Sequence, residues 1–214
     1  TWQKDQDLSV WSFIPESSLL VYETNQPFQT YDHLRQQNTW NTLSIIPEVN
    51  KLNLSIQRLD SILNRKYGLL KALEQSQLLI SFHRIGSNQF DFMISVALSQ
   101  IDDRNMLSTL QSAFLAVGAR KKNRDFLGES IIEIIKDGKT LFSYSIYKQY
   151  FIGSTTPYLV EDAIRLRKNE LNKGFLQQHP GLQTLVKLRQ DQGNIYINYQ
   201  MLPVVLKDLY PSLK

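Results

Sequence analysis

The feature that most constrains this chain is a pair of alternating apolar runs set around a tight turn. Leu78, Ile80 and Phe82 recur at every second position, Gly86-Ser87-Asn88 supplies turn residues, and Phe90, Phe92, Ile94, Val96 and Leu98 resume the same period. A period of two belongs to a strand with one face on a core, and so short a connection joins its strands antiparallel. Matching one even-numbered row to the other leaves His83 on the opposite face, near Asp91 or Met93. A slip of one residue would exchange the faces.

A second group of strands follows. Asp137-Gly138 closes a two-residue hairpin, and it lies between apolar runs at 129–136 and 140–147, with a third at 150–154. A short strand, Leu19 to Tyr22, comes after the turn Pro15-Glu16-Ser17, and a last strand is expected at 195–199. The helices read by a different spacing. Val49, Leu52, Ile56, Leu59 and Leu63 step by threes and fours on one stripe after Pro47, the pattern of an amphipathic helix covering a sheet. Asp102 suits the N-cap of a helix carrying Leu107, Leu110, Phe114 and Val117 and ending at Gly118.

Thr156-Pro157 opens another helix, with Glu161 and Asp162 early and Arg165, Arg167 and Lys168 late, an order that complements the helix dipole. Short helical pieces flank Pro180-Gly181, and a C-terminal helix follows Leu202-Pro203. Strands joined by tight turns and helices segregated from them predict an α+β fold, an antiparallel sheet of about six to eight strands with helices packed mainly on one face. Residues 1–10 read as a flexible lead-in and 11–214 as a single α+β domain. The absence of Met at Thr1 adds the expectation that a processing boundary removed whatever came before it.

Composition removes several classes of function. A hydrophobic fraction of 42% is too high for a disordered chain. The lack of Cys excludes disulfides, thiolate metal sites and a cysteine nucleophile. A net charge of +4 is mild for a nucleic-acid binder of this length. No apolar run approaches the roughly 18–20 residues that span a bilayer. There is no phosphate-binding loop, no dinucleotide fingerprint and no G-x-S-x-G elbow. The histidines at 33, 83 and 179 lack metal-ligand spacing. No cofactor, metal or catalytic residue is therefore expected.

One constellation invites a catalytic reading. His83 has Ser81 on its own face and Asp91 across the hairpin, and a His beside a carboxylate can act as a general base. The plainer reading is a surface cross-strand pair. Asp102 and Asp103 read as helix-capping residues. The run Arg120 to Arg124 could meet phosphates, yet it also suits a solvated connection or an edge strand protected by Lys. Phe142, Tyr144, Tyr147, Tyr150 and Phe151 could form a binding platform, although Phe142 and Tyr144 are better placed to line the core.

The opening "WSFIPESSLLVYETNQP", through Ile14, Pro15, Ser17, Ser18 and the strand from Leu19 to Glu23, resembles an uncharacterised family of bacterial envelope proteins. "FMISVALSQID" from Phe92 to Asp102, "YFIGST" from Tyr150 to Thr155 and "NIYINYQML" from Asn194 to Leu202 fit the same pattern, with Ser17 where members carry Asp. The resemblance implies an ectodomain held outside the cytoplasm by a membrane anchor or lipoprotein signal that this chain does not contain, and the first part of a longer protein with further similar modules. It brings no catalytic residues. The expected function is thus a non-enzymatic interaction or scaffold domain of the cell envelope with a protein partner. The alternatives are a carrier or sensor of an apolar ligand held between sheet and long helix, and a hydrolase using His83.

Overall fold

The computed structural model describes residues 8–26, 76–98 apart from 88, 119–168, 174–187 and 193–209, with isolated residues and short stretches of 29–54 and 108–118. Eight strands form one sheet: β1 (Ser18–Thr24), β2 (Leu78–Gly86), β3 (Gln89–Ala97), β4 (Arg120–Phe126), β5 (Glu129–Lys136), β6 (Lys139–Tyr147), β7 (Tyr150–Ser154) and β8 (Asn194–Ile197). Their spatial order is β4-β5-β6-β7-β3-β2-β1-β8, and every neighbouring pair is antiparallel. The described helices are short: α1 (Asn38–Leu43), α2 (Pro157–Arg167), α3 (Phe175–Gln178), α4 (Leu182–Leu185) and α5 (Leu202–Leu209). A 3-10 turn at Val10–Phe13 precedes β1, and another at Tyr199–Met201 follows β8. The fold class is α+β, as the sequence predicts, and mostly sheet.

The chain makes this sheet from two local units. Between β5 and β6, Asp137 and Gly138 have φ of 51° and 75°, the paired positive values that a two-residue hairpin turn demands and that Gly adopts without a Cβ clash. The basic run Arg120 to Arg124 is not a connection but part of β4, so the meander β4 to β7 has four strands where three were expected. The hairpin β2-β3 then joins this meander through β3 and β7. At the far edge β1 and β8, the first and last strands, pair with each other.

The register of β2 and β3 matches even rows to even rows, with Leu78 opposite Val96, Ile80 opposite Ile94 and Phe82 opposite Phe92. His83 therefore faces Asp91, but it does not lie on a solvated surface. It is 2% exposed, in the more deeply buried of two covered faces. This first face carries Val21, Leu79, Met93 and Ile152, and the residues packed over it include Val10, Trp11, Phe13, Leu159, Ala163 and Phe175. The second face carries Val96, Phe142, Tyr144 and Phe151, with Phe114 packed against it.

The first face passes for a polar one in the sequence because it is rich in serine. Ser81, Ser95, Ser143, Ser145 and Ser154 are all buried on it. Small side chains let α2, whose Ala163 and Ile164 are fully buried, sit close to the strands. Backbone satisfies two of these hydroxyls, Ser154 Oγ donating to the Phe92 carbonyl at 2.7 Å and Ser145 Oγ to the Ser130 carbonyl at 2.9 Å, whereas Ser95 Oγ and Ser143 Oγ have no hydrogen-bond partner among the described residues. A hydroxyl so paired can be buried at little cost.

The long helix expected from Val49 to Leu63 and the capping pair Asp102 and Asp103 lie outside the described residues. So does most of the lead-in, although Val10 is already in the core at 1% exposure. Phe142 and Tyr144 line the core as expected.

Gly153 leaves room for that aromatic layer. A Cβ there would stand 2.5 Å from Cζ and 2.9 Å from Cε1 of Phe142, which stacks on Phe114 and Phe151. Gly153→Ala should destabilise the protein by about 1–3 kcal/mol through overpacking, read as a lower urea midpoint with an unchanged slope.

Candidate functional site

The one polar constellation predicted from the sequence is assembled by the β2-β3 ladder. Ser81 and His83 are two residues apart on one strand, so their side chains share a face, and His83 Nε2 lies 2.7 Å from Ser81 Oγ. Asp91, the register partner of His83, is turned to other tasks. Its Oδ1 accepts the Phe92 N–H at 2.9 Å, and its Oδ2 accepts the hydroxyls of Thr155 and, at 2.5 Å, Thr156. It thereby ties β3 to the loop that opens α2.

This geometry does not make a catalytic relay. An activated serine needs a base whose second nitrogen is oriented by a carboxylate, but among the described residues His83 Nδ1 has no hydrogen-bond partner. The tautomer that best fits places the proton on Nε2, which donates to Ser81 Oγ, while that hydroxyl donates to the Met93 carbonyl at 3.4 Å. A bare lone pair, rather than an orphaned N–H, is then left in the interior. Burial pushes the imidazole down to about 4, with the Asp91 charge opposing that shift only in part. Ser81 is fully buried, so no substrate reaches it in this conformation. The cluster acts as internal polar packing under the 3-10 turn and α2.

The apolar surface collects elsewhere. At the β8 edge, Leu182 and Leu185 of α4, together with Ile195, Tyr196, Ile197 and Tyr199, line a groove of about 400 Å³ that opens to solvent. Ile195 is 63% exposed, Ile197 44% and Tyr199 73%. The strand beneath is firmly held. Tyr196 packs edge-on against Trp11 with ring centroids 5.1 Å apart, and its hydroxyl donates to Glu23 Oε2 at 3.0 Å. Gln77 Nε2 donates to the other carboxylate oxygen at 2.5 Å. Burial, reinforced by the Glu23 charge, pushes the Tyr196 phenol up, so it remains a donor. Asn198 pins the end of β8, donating from Nδ2 to the carbonyls of Glu16 and Ser18, both at 3.2 Å.

The opposite edge is chemically different. On β4, Arg120, Lys121 and Lys122 are exposed, while Arg124 bonds Glu133 at 2.9 Å and Glu161 of α2 at 2.7 Å. This is the guarded edge that one of the two sequence readings of the basic run describes. Among the described residues no group of three or more His, Cys, Asp or Glu could hold a metal ion, and no helix is long and apolar enough to cross a membrane. The β8 groove was not singled out from sequence. Its signal was an uncharged stretch from Asn194 to Leu206.

Compared with known families, curated proteins and solved structures, the chain matches no family model, no curated protein and no solved structure. The resemblance to envelope proteins rests on its own residues.

Two outcomes follow for the His83 cluster. The unfolded imidazole takes up a proton below pH 6.5, whereas the folded one resists until about 4. The stability from keeping it neutral is therefore full above pH 6.5 and is lost as pH falls toward 4, by about 3 kcal/mol. His83→Gln should flatten that acid limb in urea midpoints measured from pH 7 to pH 4. A fluorophosphonate probe should leave Ser81 unmodified, checked by intact mass.

Proposed function

We propose that this chain is a non-catalytic protein-interaction module of the bacterial cell envelope, working outside the cytoplasm and docking its partner at the β8 edge. The observation that carries the reading is the juxtaposition of an uncharged edge strand with an open apolar groove, Ile195, Ile197 and Tyr199 all being substantially exposed. Soluble proteins rarely leave such surface uncovered without a binding role, and an unguarded edge offers backbone pairing besides apolar contact.

Other features support a protein partner over the alternatives. The basic strand β4 contributes Arg124 to an intramolecular ion-pair network with Glu133 and Glu161, which reduces what it could offer to phosphates. The hydrolase reading lacks both an accessible serine and an oriented base. The carrier reading places its ligand beneath the helix of Val49, Leu52, Ile56, Leu59 and Leu63, which is outside the described residues. The envelope setting is drawn from the resemblance at Ile14 to Glu23 and the three later segments.

Site-specific photo-crosslinking in intact cells tests the reading. A benzophenone side chain at position 195 should yield protein adducts, while the same group at position 122 on β4 should yield none. Absence of any protein adduct from position 195, with a lipid or small apolar molecule co-purifying in native mass spectrometry, would replace the interaction module by the carrier.

A further inference from the structure

We infer that β8 pairs with β8 of a second copy of this chain, two-fold and antiparallel, so that one sheet runs through both molecules. The inference rests on the reading of β8 as a docking edge and names its occupant. Three observations on that edge converge.

The first is which backbone groups are free to pair. The Asn198 N–H donates to the Leu19 carbonyl at 2.9 Å, and Tyr196 stands opposite Val21 in the same register. Hydrogen-bonded and non-bonded positions alternate along an antiparallel pair. Residues 194, 196 and 198 therefore turn their N–H and C=O groups toward β1, and Ile195 and Ile197 turn theirs outward. β8 ends the strand order, so no described strand receives them.

The second is the sequence of the edge itself. Asn194-Ile195-Tyr196-Ile197-Asn198 reads the same in both directions. An antiparallel partner centred on Tyr196 sets Ile195 against Ile197 of the other copy and Asn194 against Asn198. The outward-facing residues of one copy then meet those of the other, and both bonded pairs are complete. A two-fold contact must be self-complementary in this way. The isoleucines of both copies share one face, and like pairs with like without burying a charge.

The third is the contrast between edges. β4 carries Arg120, Lys121 and Lys122, the means by which strands avoid adding neighbours. No charged residue occurs from Asn194 to Leu206. Leu185, Tyr199 and Val204, all exposed, extend the apolar surface beyond the strand. This adds area to a contact that strand pairing alone would leave small. The anchoring of Tyr196 and Asn198 holds the edge in place before a partner arrives.

The purified chain should sediment as a dimer, with twice the 24.9 kDa of one copy. Ile195→Lys with Ile197→Lys places like charges opposite each other and should give a monomer at the same concentration, with an unchanged circular dichroism spectrum. Lys122→Ala should remain dimeric. Register is read independently, since the chain has no native Cys. Ile195→Cys mixed with Ile197→Cys should form a disulfide-linked dimer under mild oxidation in greater yield than either variant alone, because facing Cα atoms of a bonded antiparallel pair stand about 5.5 Å apart. A dimer indifferent to the lysine pair, or equal disulfide yields in the mixed and single samples, overturns the inference. A monomeric chain that still gives adducts to a different protein from position 195 overturns self-pairing and leaves the interaction module standing. A monomer without adducts removes both.

Discussion

Close approach of α2 and the Val10–Phe13 turn to one face of the sheet is the constraint on which the other features depend. It requires side chains small enough to let a helix settle on the strands, and the buried serines at 81, 95, 143, 145 and 154 meet that need. Serine brings a hydroxyl that must be satisfied once water is excluded. The pairing of Ser154 with the Phe92 carbonyl and of Ser145 with the Ser130 carbonyl does so for two of them. The opposite face is built from stacked aromatics, with Phe142 and Phe151 centroids 6.4 Å apart. The strands thus present different side chains on their two faces, many small serines on one and stacked aromatics on the other.

His83 takes its character from this asymmetry. Within the serine face a neutral imidazole fills volume and donates to Ser81, and burial holds it neutral well below its ordinary range. The same residues in a cleft would suggest a nucleophile and base. Here the carboxylate across the ladder is spent on Phe92, Thr155 and Thr156, so it orients the α2 loop rather than the imidazole. Proximity of Ser, His and Asp is not sufficient for catalysis when the hydrogen bonds run elsewhere and no substrate can enter.

The sheet's two ends complete the functional reading. An open sheet has two edges, and each must be guarded, covered or used. Charge guards β4, and part of that charge also fastens α2 through Arg124 and Glu161. β8 has neither charge nor cover among the described residues, yet it is fixed to β1 through Tyr196, Glu23 and Asn198. A rigid, apolar and unguarded edge suits the recognition of another strand.

Much of the strand layout was legible in the sequence, because alternation at 78–82 and 90–98 and the turn at Asp137-Gly138 are local signals. The even-to-even register put His83 near Asp91 or Met93, and the ladder pairs it with Asp91. Which face would be buried did not follow from the register, since Ser81, Ser95 and Ser143 look like solvent-facing residues until a helix lies on them. The basic run Arg120 to Arg124 left a connection and a Lys-protected edge strand both open, and spacing did not reveal that Asn194 to Ile197 forms the other edge. Local residue order determined the strands, the turns and the α+β class through short-range sterics and periodicity. Tertiary structure alone decided what is inside, what is covered and which edge stays open, because those depend on long-range contacts between segments far apart in the chain.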